Sequence, residues 1–556
     1  MSVSLRYLRA HTRPFLFVAG ALVSAPDCSG SSADGTGSGG QGFSGAPSAF
    51  GGASGGSTSN AGNGAAGWSP VGGLAGSAAL AGGGNSAGST AGAPEAGGTA
   101  GSASGGASAG GGAGMAGASG SSGSGGKTCG AGDANLPAEP KIPPACKTIQ
   151  ASRHVASGGV PSESSPDTSA IQAALDSCAT GQAVKLASNG ANESFITGPI
   201  TVPTGVSLWV DTGTTLFGTR DPSVYGGASA LITVKGAGSG IYGDGVIDGQ
   251  GGEPMIGSTT SFWDQNGSGG SSPALIQVSG ATNFTLYGVT LHNAPKFHVK
   301  LNAKGFIVWG ITIKTPSKVQ NSAGTPLTVS SAHNTDGVDP GEAASDGFIV
   351  CNKISDGDDH IAIKGSSATG VTNLTIAHNH FEAGHGMSIG SEFTGGVSHI
   401  KVYDLSIDGS LGGYANGIRI KSDSSRGGLV NDVTYSDVCV RSLQTPILLT
   451  PTYSTATGTD IPQYTNITIR NFHALNGPAN QAVTLDGYDA SHLNSVTLDN
   501  VVVDGLAAAN ATGSFTHVTL GPGNVNFTPK GTGLTVTNAI TGTSTPNPCT
   551  DKWVTF

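Results

Sequence analysis

The sequence predicts an all-β solenoid, a parallel β-helix preceded by a long low-complexity segment, and three observations carry that prediction. Short apolar β runs recur from about residue 231 onward; their starts lie mostly 22 to 34 residues apart; and each run is followed by Gly, Asn or Asp. A unit of that length holds about three short strands and no crossover helix, so each coil has to pair with the next. Rossmann and barrel folds do not meet that constraint. A β-propeller blade, at roughly 40–45 residues, is longer than most of the steps here.

From the start of the chain, Arg6, Arg9 and Arg13 precede the apolar run Phe15–Ala25, which is too short to span a bilayer and has the length of a signal-peptide core. Residues 1–28 are therefore expected to be an export leader, with Cys28 a candidate lipid anchor, although Ala25-Pro26-Asp27 before it match a lipoprotein cleavage site poorly. Residues 29–126 are almost entirely Gly, Ser and Ala. Such a stretch buries too little apolar surface to offset its ordering entropy, and it lacks the Gly-X-Y period of collagen, so it reads as a disordered linker. Residues 127–556 are long enough for one large domain.

Seven cysteines are present, and setting Cys28 aside leaves six: Cys129, Cys146, Cys178, Cys351, Cys439 and Cys549. An exported chain permits disulfides; the spacings fit no zinc motif, and Cys146 with Cys178 is the expected pair. The formal charge of -10 and the absence of a basic stripe argue against a nucleic-acid partner. No stretch approaches transmembrane length.

One helix is expected near the start of the domain, over 170–178, with Asp167-Thr168-Ser169 as its cap and Ile171, Ala174, Leu175 and Cys178 on its apolar face. It suits the open end of a solenoid, which needs covering. The β runs follow: Leu231–Val234, Gly240–Asp248, Asn283–Tyr287, Gly305–Trp309, Asp346–Val350, Val371–Ile376, Val397–Val402, Val430–Tyr435, Tyr464–Ile469 and Leu493–Leu498. The step of 41 from 305 to 346 reads as a loop insertion.

Within 334–453 lie polar clusters for which a stacked coil has no structural need: Asn334-Thr335-Asp336-Gly337, Gly357-Asp358-Asp359, Gly384-His385-Gly386, Arg419-Ile420-Lys421 and the run Pro446–Tyr453. Asp336 to Asp358 is 22 residues, Asp358 to His385 is 27, and His385 to Arg419 is 34, each about one coil, so the clusters should stack on one face. Arg419 and Lys421 are two apart and would point the same way in a strand. Glycosidic hydrolysis needs a carboxylic acid for the leaving oxygen and a carboxylate to activate water; crowded carboxylates raise one another's pKa and keep one protonated. Cations beside them would bind a substrate carboxylate, which points to an acidic sugar polymer.

These clusters, in this order, resemble the polygalacturonase (pectinase) family of glycoside hydrolases. Gly384–Ser391, Gly417–Asp423 with Arg426-Gly427-Gly428, and Gly243–Gly249 resemble its bacterial branch. The resemblance implies a right-handed parallel β-helix and inverting, endo-leaning hydrolysis of polygalacturonate, with no cofactor or metal. It also implies a secreted or surface-tethered monomer. It makes Asp358 the general acid, Asp336 and Asp359 the holders of the water, and His385 the group that tunes the acid, while Arg419, Lys421 and Tyr453 bind galacturonate. Inversion predicts acid and base carboxyls roughly 6.5–9.5 Å apart. Because neighbours on a regular strand face opposite ways, Asp358 and Asp359 can both serve only if the chain bends there. This chain departs from the family pattern at His360, where Cys or Asn is usual, and at Thr450-Pro451 ahead of Tyr453.

Taken singly, an Asp-Asp pair is a solvated turn, His385 a structural histidine and the Arg-x-Lys an exposed strand face; four clusters in register reverse that. His333 and His360 read as structural supports. Gly386-Met-Ser388-Ile-Gly390 and the Gly238–Gly243 match to G-x-G-x-x-G both lack the helix that their motifs require. Exo-acting or rhamnogalacturonan hydrolysis, a calcium-dependent pectate lyase and a non-catalytic polysaccharide-binding surface β-helix are the competing readings.

Overall fold

The structure is a computed structural model that describes residues 129–366, 368–412, 416–538 and 545–554. The expected leader, Cys28 and the expected linker lie outside the described residues. Successive coils pair in parallel to form three ladders, joined as a right-handed parallel β-helix. The first ladder runs through Ala183–Ala187, Ser207–Val210, Gly240–Tyr242, Thr285–Tyr287, Ile307–Trp309 and Ser345–Val350. The second runs through Ser194–Thr197, Thr215–Gly218, Val246–Asp248, Thr290–His292, Thr312–Lys314 and Lys353–Ser355. From Val371 onward these two ladders fuse into long strands, Val371–Phe381, Val397–Asp408, Leu429–Arg441, Gln463–Leu475 and Asn494–Val503.

The Gly, Asn and Asp residues noted after each run have a single structural purpose. The corner between the first two ladders is turned by one residue in the left-handed region: Gly288, Gly310, Cys351, His378, Asp404, Asp437, Asn471 and Asn500 occupy it in successive coils. Positive φ is cheap for Gly and tolerated by Asn and Asp, so the corner residue can change while the path does not.

The core follows from register. Leu208, Ile241, Leu286, Val308, Ile349, Ile376, Val402, Tyr435, Ile469 and Leu498 pair one above the next, and each is 1% exposed or less. Fully burying such a side chain contributes about 1.5–3 kcal/mol relative to leaving it exposed, so this column is a main source of stability.

The helix spans Thr168–Ser177 and buries Ile171, Ala174 and Leu175, as its spacing predicts, but the expected side-chain cap is not made. Asp167 sits at the N-cap, yet its carboxylate accepts the backbone N–H of Ile196 at 2.9 Å instead, tying the helix start to the second ladder. Cys146 pairs with Cys178, as expected, and Cys129–Cys351 and Cys439–Cys549 are the other two bridges. The long step between 305 and 346 is the segment 315–337, which leaves the second ladder at Lys314 and re-enters the third at Val338.

Tyr435 is an exception within the core column, because its hydroxyl is sealed from water and has no hydrogen-bond partner among the described residues. Removing an unsatisfied buried donor should help: Tyr435→Phe is expected to raise unfolding stability by about 1 kcal/mol. Urea denaturation checks this, and a less stable variant would contradict the reading of that hydroxyl.

Candidate active site

The third ladder forms the floor of the site. It stacks Val299–Lys304, Val338–Pro340, Ile361–Ile363, Met387–Ile389, Asn416–Lys421 and Thr445–Thr450. Every predicted cluster belongs to it. Asp336, Asp358, Asp359 and His385 lie in the irregular segments that lead into three successive floor strands, Arg419 and Lys421 lie on the next, and Tyr453 follows the one after.

The backbone is bent between Asp356 and His360, so the adjacent aspartates share one face: Asp358, Asp359 and His385 each offer an atom within 4.8 Å of the others, which brings oxygens of Asp358 and Asp359 closer than the roughly 6.5–9.5 Å expected of an inverting acid–base pair. Asp358 Oδ1 lies 3.0 Å from His385 Nδ1. Asp359 is 1% exposed and closely partnered. Arg419 Nη2 donates to Oδ1, as does Ser388 Oγ at 2.8 Å, and Lys421 Nζ lies 3.0 Å from Oδ2. Arg419 Nε also donates to Ser388 Oγ at 3.1 Å, and Lys421 Nζ sits 4.7 Å from the centre of the Tyr453 ring. Six of the seven predicted residues thus form one connected group, while Asp336 is held by Lys364 instead. The two cations differ from expectation in one respect: both are already engaged with Asp359, because a buried carboxylate needs compensation. Both cations also act on Asp358 beside it.

Three residues here were not singled out from sequence. Lys364 Nζ lies 3.0 Å from Asp336 Oδ2 and 2.9 Å from Asp339 Oδ2. Asp339, three residues after Asp336, was the available signal, since both flank one floor strand entry. Asp356 is buried beside them; its Oδ1 accepts the Asp358 N–H at 3.2 Å, and its Oδ2 has no partner.

Charge crowding acts as expected, but on different carboxyls. Burial, then the neighbouring carboxylates, pushes Asp336 and Asp356 well above the usual range, and burial lifts Asp339 to about 6. Lys364 lies against both, and burial still leaves each above its ordinary value. Burial also pushes Asp358 and Asp359 upward but is overridden: His385 brings Asp358 below its ordinary value, and Arg419 with Lys421 holds Asp359 far below. Asp359 is therefore a carboxylate at rest. Asp358, Asp359 and His385 have the mutual distances of a metal site, although both oxygens of Asp359 are already occupied by Arg419, Ser388 and Lys421.

Two fully buried histidines brace the site. His360 Nε2 lies 3.0 Å from Ala383 O, and its Nδ1 accepts the Gly386 N–H at 3.0 Å, so the ring is neutral and clamps the loop on either side of His385. It stacks on Phe381 with ring centres 4.6 Å apart. The expected supporting role of His360 follows from this geometry. His298 Nδ1 faces the carbonyls of Thr335 and Asp336 at 3.2 and 3.1 Å, and its Nε2 lies 2.8 Å from Thr315 Oγ1.

The model of the family "Glycosyl hydrolases family 28" matches residues 180–521, which contain the whole floor and all seven predicted residues. The chain belongs to family 28 of the glycosyl hydrolases. It is 39% identical over 489 residues to a polygalacturonase of Ralstonia nicotianae, covering 75% of this chain and 91% of that one. It is 38% identical over 399 residues to an endo-polygalacturonase of Pectobacterium carotovorum subsp. carotovorum, covering 67% and 90%. Among solved structures, the polygalacturonase from Erwinia carotovora ssp. carotovora superposes with a TM-score of 0.59 at 33% identity, covering 73% of this chain and all of that one. This family 28 member is a glycoside hydrolase, and its predicted fold and family stand.

Two outcomes are expected. Asp359→Asn leaves Arg419 and Lys421 buried without their counter-charge and should cost about 3–5 kcal/mol of stability, measured by denaturation; an unaffected variant would show the network to be dispensable. Burial holds His298 and His360 at about 4, against an ordinary 6.5. Below about 6.5 the unfolded chain takes up a proton at each that the folded state refuses, so acid favours unfolding until about 4. Asp336, Asp339 and Asp356, whose folded values are raised, act in the opposite sense, so the contribution of His360 must be read as a difference. The stability gap between wild type and His360→Asn should narrow as pH falls from 6.5 to 4; a constant gap would contradict the neutral clamp.

Proposed function

We propose that this family 28 hydrolase cleaves α-1,4-galacturonosyl linkages of polygalacturonate with inversion, acting in endo fashion. The observation that carries the reading is the single groove floor on which Asp336, Asp358, Asp359 and His385 are bracketed by Arg419, Lys421 and Tyr453. Polygalacturonate carries a carboxylate on each sugar, and the guanidinium of Arg419 and the ammonium of Lys421 are the groups that would hold it. The endo-polygalacturonase relative, at 38% identity, supports both the substrate and the mode of attack.

In this scheme Asp358, ionised beside His385 at rest, takes up a proton through that contact and then protonates the departing glycosidic oxygen as the C1–O bond breaks. Water attacks C1 from the opposite face and gives its proton to Asp359, the carboxylate that is ionised at rest, with Asp336 sharing in the hold on that water. The hydrogen bond from His385 to Asp358 gives the acid a partner from which its proton is restored. The reading includes an exported monomer, free or surface-tethered, in which residues 1–28 form the leader, 29–126 a tether and 127–556 the catalytic domain. Among the described residues no helix is long and apolar enough to cross a membrane.

The test is incubation of the full chain with polygalacturonate. Expected are a steep viscosity drop, oligomers of mixed length, no unsaturated products and no loss on chelation. Release of only mono- or digalacturonate would overturn the endo assignment, and unsaturated products would overturn hydrolysis. Asp358→Asn should retain the fold by circular dichroism and lose activity by about 10²–10⁴-fold; a fully active variant would remove Asp358 from the acid role.

A further inference from the structure

Lys296 has no part in the chemistry just described, and its setting is unusual for a lysine. It lies in the loop before the floor strand Val299–Lys304, one coil ahead of Asp336. It is only 7% exposed, yet it makes no hydrogen bond or ion pair with any described residue. The charges that face it are Lys300, Lys364 and Asp336, and Lys364 is already committed to Asp336 and Asp339. The ammonium groups of Lys296, Lys300 and Lys364 lie 5.1, 5.8 and 4.6 Å from the centre of one half-buried ring, that of Phe297. Burial of its stem, with the like charges of Lys364 and Lys300, lowers its proton affinity against the opposing pull of Asp336. An anion placed against it would offset that effect.

The loop is also preorganised. Trp263 Nε1 donates to Ala294 O at 2.8 Å, and Asn266 Nδ2 donates to Pro295 O at 2.8 Å and to His333 O at 3.2 Å, locking the Lys296 loop to the loop that carries Asp336. Along the floor, Lys300 pairs with Asp339, Ala362 with Ser388, and Ser388 with Arg419. The four steps from Lys300 to Arg419 span about 19 Å at roughly 4.8 Å per strand. The middle of that column carries the short, buried side chains Ala362 and Ser388, and a cation stands at each end.

We propose that Lys296, with Lys300 and the Phe297 ring, forms a subsite for a carboxylate-bearing sugar unit on the side of Asp336 away from Arg419 and Lys421. The sugar face rests on the ring, its carboxylate meets the two ammonium groups, and the polymer is gripped by cations on both sides of the bond that breaks. This rests on the polygalacturonate reading and adds to it a demand for an unesterified unit at that position.

The experiment compares wild type, Lys296→Met, Lys296→Arg and Lys300→Gln on polygalacturonate and on end-labelled hexagalacturonate. Lys296→Met is expected to raise KM about tenfold, the loss of one charge-assisted contact, with a much smaller fall in kcat. It should also shift which bond of the hexamer is cut, and Lys296→Arg should restore much of the affinity. A purely structural lysine predicts the reverse pattern: a lower melting temperature with KM unchanged. The subsite instead predicts a melting temperature equal to or above wild type, since an unpaired buried charge is removed. An unchanged KM and cleavage pattern in an active Lys296→Met overturns the subsite alone, whereas a wild type inert on polygalacturonate overturns the parent reading as well. Should Lys296→Met not fold, the half-exposed Lys300→Gln reads the same subsite through the same KM ratio, and no change there overturns it.

Discussion

Parallel, in-register pairing between successive coils is the constraint from which the rest of the molecule follows. A residue on the first ladder sits directly above its counterpart one coil earlier, so an apolar choice made once has to be repeated, as from Leu208 through Tyr435 to Leu498. The same rule acts on the outward face of the third ladder, where it repeats nothing and instead brings distant polar residues together. Lys300, Asp339, Ala362, Ser388 and Arg419 span more than a hundred residues of sequence and only five adjacent strands.

Buried charge then sorts the roles of the carboxyls. Asp359 lies against Arg419 and Lys421 and stays ionised; Asp336 and Asp339 share the Lys364 ammonium, and burial raises both. Two carboxyl sets within a few strands are thereby driven in opposite directions. His298 and His360 add no charge, because each ring nitrogen is committed to a backbone or hydroxyl partner that suits the neutral form. They hold the loops bearing Asp336 and His385 without disturbing the local balance.

Most of the fold was legible in the sequence because both of its signals are local. The β runs and their Gly, Asn or Asp corners are short-range features, and the spacing of 22, 27 and 34 residues between clusters converts directly into adjacent coils. Asp336, Asp358, Asp359, His385, Arg419, Lys421 and Tyr453 could be grouped for that reason. What escaped depends on side chains reaching across coils. Asp167 looks like a helix cap in one dimension, but a neighbouring strand offers its carboxylate the Ile196 N–H. Lys364 sits in an apolar strand context, Ile361-Ala362-Ile363, and reveals its purpose only when the preceding coil brings Asp336 and Asp339 beneath it. Nor does spacing show that Arg419 and Lys421 have an internal partner, since the bend that turns Asp359 toward them is a tertiary feature.

That bend explains why the chemistry sits where it does. Within a floor strand, alternation would send one of two adjacent aspartates into the apolar core, where an unpartnered carboxylate is prohibitively costly. Just before the strand the backbone is free of the ladder, and Asp358 and Asp359 can share one face while Ile361 and Ile363 return to the core. Three coils in a row use this device, at Asp336, at the aspartate pair and at His385. The cations that answer them, Arg419 and Lys421, are long enough to work from within a regular strand. Short acidic groups at the strand entries and long basic groups on the strand itself are thus what the geometry of a parallel solenoid demands when it places opposite charges over one groove.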